Sequence, residues 1–253
     1  MSSPEKGYSF HNAGDLDPAL SVALLQWGLA LADTKYLFGR RLSEWVNGAP
    51  TLEAAVGAAA MTQDELGHAR SLYSMLWDFP GAPKELGSES DLQRGNYYSP
   101  AALAAPWSSW TDVVATNVLF DRALNMIFEA VHGSQFGPLS QRAAKILQEE
   151  RFHRIYGDSW LARLSKNNGQ MREQLGKSLA RAWALADAWI GPSHDPATQP
   201  LVKARILTTS PGAIREQWLR QVKHLVEKHG FSTNFPQLDW AHWDSGRREI
   251  ANV

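Results

Sequence analysis

Apolar residues recur along most of this chain at the three- and four-residue spacing of helices that bury one face. A first helix is predicted from Asp17-Pro18, an N-cap acid followed by Pro at the first helical position. Its stripe of Leu20, Leu24, Trp27, Leu31 and Phe38 runs to a strong stop at Asn47-Gly48-Ala49-Pro50. Thr51 caps a second, with Glu53 in the first turn, that ends near Phe79-Pro80-Gly81. A third is expected from about Trp110 to His132, stopped by Gly133, and a fourth from after Pro138 to Asn167-Asn168-Gly169. Segments 170–190 and 211–229 share the periodicity. Residues 81–108 hold scattered Gly, Pro and Ser and read as a long irregular connection, which in a compact domain often lies over something functional. No strand or hairpin signal stands out, so the predicted class is all-α. The expected division is an extended arm over 1–16, a helical domain over 17–230 and a tail over 231–253 with little pattern beyond Trp240 and Trp243.

Composition narrows the function more than the fold. The 253 residues can bury a large core, and 25 basic against 26 acidic residues leave no electrostatic footprint for nucleic acid or an anionic membrane. No apolar run reaches spanning length and the first residues lack a signal-peptide core, so a cytoplasmic protein is expected. With no cysteine, any metal must be held by imidazole and carboxylate. The eleven Trp are expected to fill helix interfaces, with Trp45, Trp77 and Trp160 near helix ends.

Two copies of Glu-x-x-His carry the chemistry: Glu65/His68 in Gln-Asp-Glu-Leu-Gly-His-Ala and Glu150/His153 in Gln-Glu-Glu-Arg-Phe-His-Arg. Residues three apart share a helix face, so each pair can present a carboxylate and an imidazole to one metal. Two such pairs facing one another, each joined by a carboxylate from another helix, form the ligand pattern of ferritin-like di-iron and di-manganese bundles. Asp121 lies among Val118, Leu119, Phe120, Leu124, Ile127 and Phe128, a costly place for a carboxylate unless a metal or buried cation pairs with it. It cannot pair with the adjacent Arg122, because neighbouring helical residues point apart. Asp121 precedes Glu150 by 29 residues; the matching place before Glu65 falls near residue 35, where the chain has Lys35. The bland alternative is an amphipathic face turned to water; Asp64 and Arg70 on flanking faces speak against it at the first pair, while Glu149, Arg151 and Arg154 give the second a charged setting.

At these residues the chain resembles a known family. Ala-Pro-Thr-Leu at 49–52, Gln-Asp-Glu-Leu-Gly-His at 63–68, Phe-Asp-Arg-Ala at 120–123 and Glu-Glu-Arg-Phe-His at 149–153 are similar to catalytic subunits of the bacterial phenylacetyl-CoA epoxidase family. The stretch at 40–50 and the length resemble their structural sister subunits, which share the ferritin-like fold without the iron ligands. The resemblance runs over about residues 20–190. It implies a ferritin-like four-helix bundle with additional C-terminal helices, and a multicomponent oxygenase in which two irons use O₂ to epoxidise an aromatic CoA thioester. Glu65, His68, Asp121, Glu150 and His153 match the family's iron ligands; the first-helix glutamate does not carry over. Asp33 sits about 200° around the helix from residue 35 and cannot simply replace it.

Two Glu, one Asp and two neutral His carry three negative charges, and an inward ammonium reduces them to two. One divalent ion balances that; two leave excess positive charge in a poorly solvated site. One metal, a deprotonated lysine ligand, no metal with Lys35 as counter-ion, and a register shift that lets Lys35 reach solvent all stay open. The leading expectation is an oxygenase component with Glu65, Glu150 and Lys35 at the reacting centre, using electrons from a separate reductase. The chain itself has no Gly-x-Gly-x-x-Gly fingerprint and no cysteines for an Fe–S cluster. A homologous oxygenase subunit or a second copy is the expected partner. The alternative is a structural subunit with a degenerate metal site; an iron-storage protein fits the long connection and extra helix less well. Arg40, Arg41, Arg70 and Arg94 are the basic groups available to a CoA thioester.

Overall fold

The computed structural model describes residues 7–93, 95–235 and 237–251. Helix α1 spans Pro18–Glu44 and starts as predicted, the Asp17 carboxylate accepting from the Leu20 N–H. Helix α2 spans Leu52–Leu76, capped by Thr51 Oγ1 accepting from Ala54 N–H. The short link between them makes α1 and α2 a packed hairpin. The third helix, α3 (110–132), comes in three pieces: Trp110–Thr116 is α, Asn117–Asp121 is a π turn, and Arg122–His132 is α again. Helix α4 spans Gly137–Leu164 and packs on both α3 and α2. A ferritin-like bundle of α1 to α4 results, with α5 (Gln170–Ile190) and α6 (Pro211–Lys228) packed outside α3. Among the described residues, the long connection between α2 and α3 holds single helical turns at Glu89–Leu92 and Ala101–Ala104.

The π turn has a visible physical support. An extra residue per turn leaves carbonyls without their usual helical donors, and such bulges persist where other groups take over. Here the Leu119 carbonyl accepts from Trp218 Nε1 of α6 at 2.9 Å, and the Val118 carbonyl accepts from Arg122 Nε at 3.1 Å. Gly157 of α4 makes room beside it: a Cβ there would fall 1.9 Å from Asn117 Oδ1. The bulge ends on Asp121 and so fixes where that carboxylate points.

Two details differ from the sequence expectation. The tail is not patternless: β1 (Trp243–Asp244) and β2 (Glu249–Ile250) form a small antiparallel ladder. A buried Arg248 locks it to the body, donating to the Trp189 and Ile190 carbonyls and pairing with Asp195. Strands of two residues carry no periodicity, so the sequence shows no sign of this hairpin. The described part of the N-terminal arm, in turn, docks beside the start of α4, Phe10 exchanging backbone hydrogen bonds with Gln135 and Gly137. No helix among the described residues is long and apolar enough to cross a membrane.

Candidate metal centre

Mid-helix positions on all four bundle helices converge on one buried point. Lys35 comes from α1, Glu65 and His68 from α2, Asp121 from α3, and Glu150 and His153 from α4; all are at most 3% exposed. Lys35 does not reach for solvent. Its ammonium sits on three carboxylates, 2.9 Å from Glu65 Oε1, 3.1 Å from Asp121 Oδ1 and 2.5 Å from Glu150 Oε1. Phe128 and Phe38 flank it, with ring centroids 5.5 and 5.9 Å from Nζ. Asp33, by contrast, lies outside the cluster and accepts from the Tyr73 hydroxyl and the Tyr98 N–H.

The histidines complete the ring. His153 Nδ1 lies 3.4 Å from Glu65 Oε1, 3.5 Å from Asp121 Oδ2 and 3.4 Å from Glu150 Oε2. His68 Nδ1 lies 3.4 Å from Glu150 Oε1. Neither nitrogen has a well-directed hydrogen bond, and neither has the buried Glu65 Oε2. The outer ring nitrogens are held crosswise between helices. His68 Nε2 of α2 meets Glu149 Oε2 of α4 at 2.8 Å, and His153 Nε2 of α4 meets Asp64 Oδ2 of α2 at 3.2 Å. Fixing a ring by its far nitrogen is how metal-ligating histidines are oriented. Asn125 donates to Glu150 Oε2 at 3.0 Å and Asn117 to Asp121 Oδ2 at 3.4 Å.

From sequence alone Asp64 and Glu149 read as solvated charges, and Asn117 and Asn125 do not stand out. The one signal for the two acids is the repeat itself: in both copies an acid stands immediately before the Glu of Glu-x-x-His. Among the candidate CoA-binding residues, Arg41 is tied to Glu44 and the Ala104 carbonyl, Arg40 lies over Tyr36, Arg70 is exposed, and Arg94 lies outside the described residues.

Charge explains why the cluster is stable. Burial disfavours the Lys35 ammonium, but Asp121, Glu150 and Glu65 together outweigh it and hold its pKa well above the ordinary value. Burial and the neighbouring Glu150 charge push Asp121 up to about 6 in spite of Lys35. Burial would raise Glu150 too, yet Lys35 and the two histidines bring it well below the usual carboxylate range. Burial opposes charge on both histidines, but the carboxylates around them outweigh it and raise both.

One donor atom each from Glu65, Asp121, Glu150 and His153 lies within 4.8 Å of the others, so this set could hold a metal ion. The ammonium already sits on three of these four residues. The residues therefore fit one cation at this point, ammonium or metal, and do not fit two metals while Lys35 is inside.

Comparison with known proteins agrees with this architecture. Residues 12–250 match the family model of the phenylacetic acid catabolic protein. The chain belongs to that family. It is also similar to one of the subunits of the 1,2-phenylacetyl-CoA epoxidase of Escherichia coli (strain K12), with 24% identity over 160 residues. That match covers 63% of this chain and spans 64% of the relative's length.

Proposed function

We propose that this chain is a partner subunit of a multicomponent oxygenase of the phenylacetyl-CoA epoxidase type, one that accompanies a metal-bearing homologous subunit. A single observation carries the reading: the Lys35 ammonium occupies the place where the four helices would share a metal. A subunit role also accounts for the outer face of α2 and α4. Leu52 and Val56 of α2 are 77% and 62% exposed, and Phe152 and Ile155 of α4 are 73% and 62% exposed. Phe152 and Ile155 line a cleft together with Thr51 and Glu53 at the start of α2, and exposed apolar groups of this kind mark an interaction surface.

The second reading is an iron-bearing oxygenase component acting on an aromatic CoA thioester with electrons from a separate reductase. The retained donors favour it: Glu65, Asp121, Glu150 and His153 are close enough to surround one ion, and His68 Nδ1 is uncommitted. Iron would supply O₂ activation, but it needs Lys35 to leave the cluster, so no step is assigned to it.

The deciding experiment compares the chain purified alone with the chain co-expressed with a metal-bearing homologue from its own organism. Iron content and O₂-dependent oxidation of phenylacetyl-CoA are measured in both. The expected result is well under one iron per chain and no turnover alone, with turnover only in the complex. Stoichiometric iron and turnover in the isolated chain would establish the second reading instead.

A further inference from the structure

We infer that Lys35 is a built-in cation standing in for a metal, and that the cluster around it is a two-metal carboxylate site closed by this one residue. The inference rests on the reading above that the wild-type chain carries no two-metal centre, and adds what the same site is capable of.

Three independent features support it. The ammonium touches carboxylates from three different helices, the arrangement a bridging cation makes rather than that of a pairwise surface ion pair. Donor atoms that the ammonium does not use are buried and lack hydrogen bonds, Glu65 Oε2, His68 Nδ1 and His153 Nδ1 among them, and the two nitrogens lie 3.4–3.5 Å from the central carboxylates. Both rings are already clamped from outside by Glu149 and Asp64, so ligand orientation does not depend on a metal being present.

Charge and reach then say what opens the site. Glu65, Asp121 and Glu150 with Lys35 sum to two negative charges. Lys35→Glu makes four, which balances two divalent ions. A glutamate carboxylate ends about one bond short of the present Nζ, and a metal–oxygen bond of about 2 Å fills that gap. The new oxygen also becomes the fourth carboxylate, completing one from each of two helices plus a Glu-x-x-His from each of the other two.

The test uses the full chain as wild type, Lys35→Glu and Lys35→Gln, each stripped with chelator and then equilibrated with Mn(II) alone. Metal per chain is measured by emission spectrometry, and melting is followed with and without Mn(II). Wild type should retain less than one equivalent, and Lys35→Gln more than wild type. Lys35→Glu should retain close to two, with melting raised by on the order of 5–10 °C in Mn(II), since a ligand of the folded state stabilises it. If Lys35→Glu does not fold when stripped, it is refolded in Mn(II), and Lys35→Gln provides the independent measurement. Two equivalents in wild type would overturn both this inference and the partner-subunit reading. A metal-poor wild type with folded variants that bind no more than it does would overturn this inference alone.

Discussion

Replacing Lys35 by Met removes the ammonium while keeping most of the side chain's length and its apolar contacts. No large cavity is made, so the change isolates charge. Three buried carboxylates that now share Nζ at 2.5–3.1 Å lose it together, and only His68 and His153 remain as counter-charges. Breaking a buried ion pair from one side costs about 3–5 kcal/mol. For a chain of this size each kcal/mol moves the melting temperature by about 2–4 °C, so Lys35→Met should melt roughly 6–20 °C lower in metal-free buffer at neutral pH. The loss should shrink towards pH 5. Asp121, pushed up to about 6 even beside Lys35, is raised further without it, takes up a proton first and removes one of the stranded charges. Circular dichroism melts of wild type and variant at both pH values give the answer. A folded variant melting within about 2 °C of wild type at neutral pH would refute the claim that Lys35 neutralises the cluster.

The same geometry bears on four further measurements. Because His68 is raised in the folded state, its contribution is complete below about pH 6.5 and is lost as pH rises through the folded value; wild-type melting should fall on going from pH 6.5 to 9, and His68→Gln should flatten that slope. Chelator should leave wild-type melting unchanged, since the cation at the centre is covalently part of the chain; a drop of several degrees would reveal a resident metal. Arg248→Ala should cost about 3–5 kcal/mol in denaturant titration, because Asp195 stays buried without its partner; a loss below about 1 kcal/mol would show the tail hairpin to be dispensable. Phe152→Asp, at a 73% exposed position, should leave melting within about 2 °C yet abolish co-purification with the homologous subunit; an intact complex would place the interface elsewhere.

The parts of this protein that are legible in its sequence are those written in local chemistry. Asp17-Pro18 and Thr51 start helices where the sequence predicts them, because capping is decided within one turn. Asp121 is marked by its apolar neighbours, and the two Glu-x-x-His pairs by their spacing. What stays hidden depends on contacts between distant segments. The π turn at Asn117–Asp121 is braced by Trp218, about a hundred residues away, which donates to its Leu119 carbonyl, and takes its space from Gly157. The roles of Asp64 and Glu149 are crosswise: each acid bonds the histidine of the other motif rather than the one on its own helix. On either helix alone they read as ordinary exposed charges.

Lys35 shows why a single unmatched position can outweigh five matched ones. A carboxylate cluster in a bundle core cannot persist without positive charge, since uncompensated burial of three anions is far more costly than the bundle can offset. The charge can come from a metal, which must be supplied, or from protons and an ammonium, which the chain carries itself. Here the second solution is built in full. Lys35 provides the central cation, the carboxylates around both histidines raise their pKa values, and Asp64 and Glu149 anchor the rings from outside. A bundle neutralised this way is complete before any metal arrives, which fits the partner-subunit role proposed above. The same arrangement keeps the metal-binding donors in place, so the distance between the two solutions is one side chain on α1.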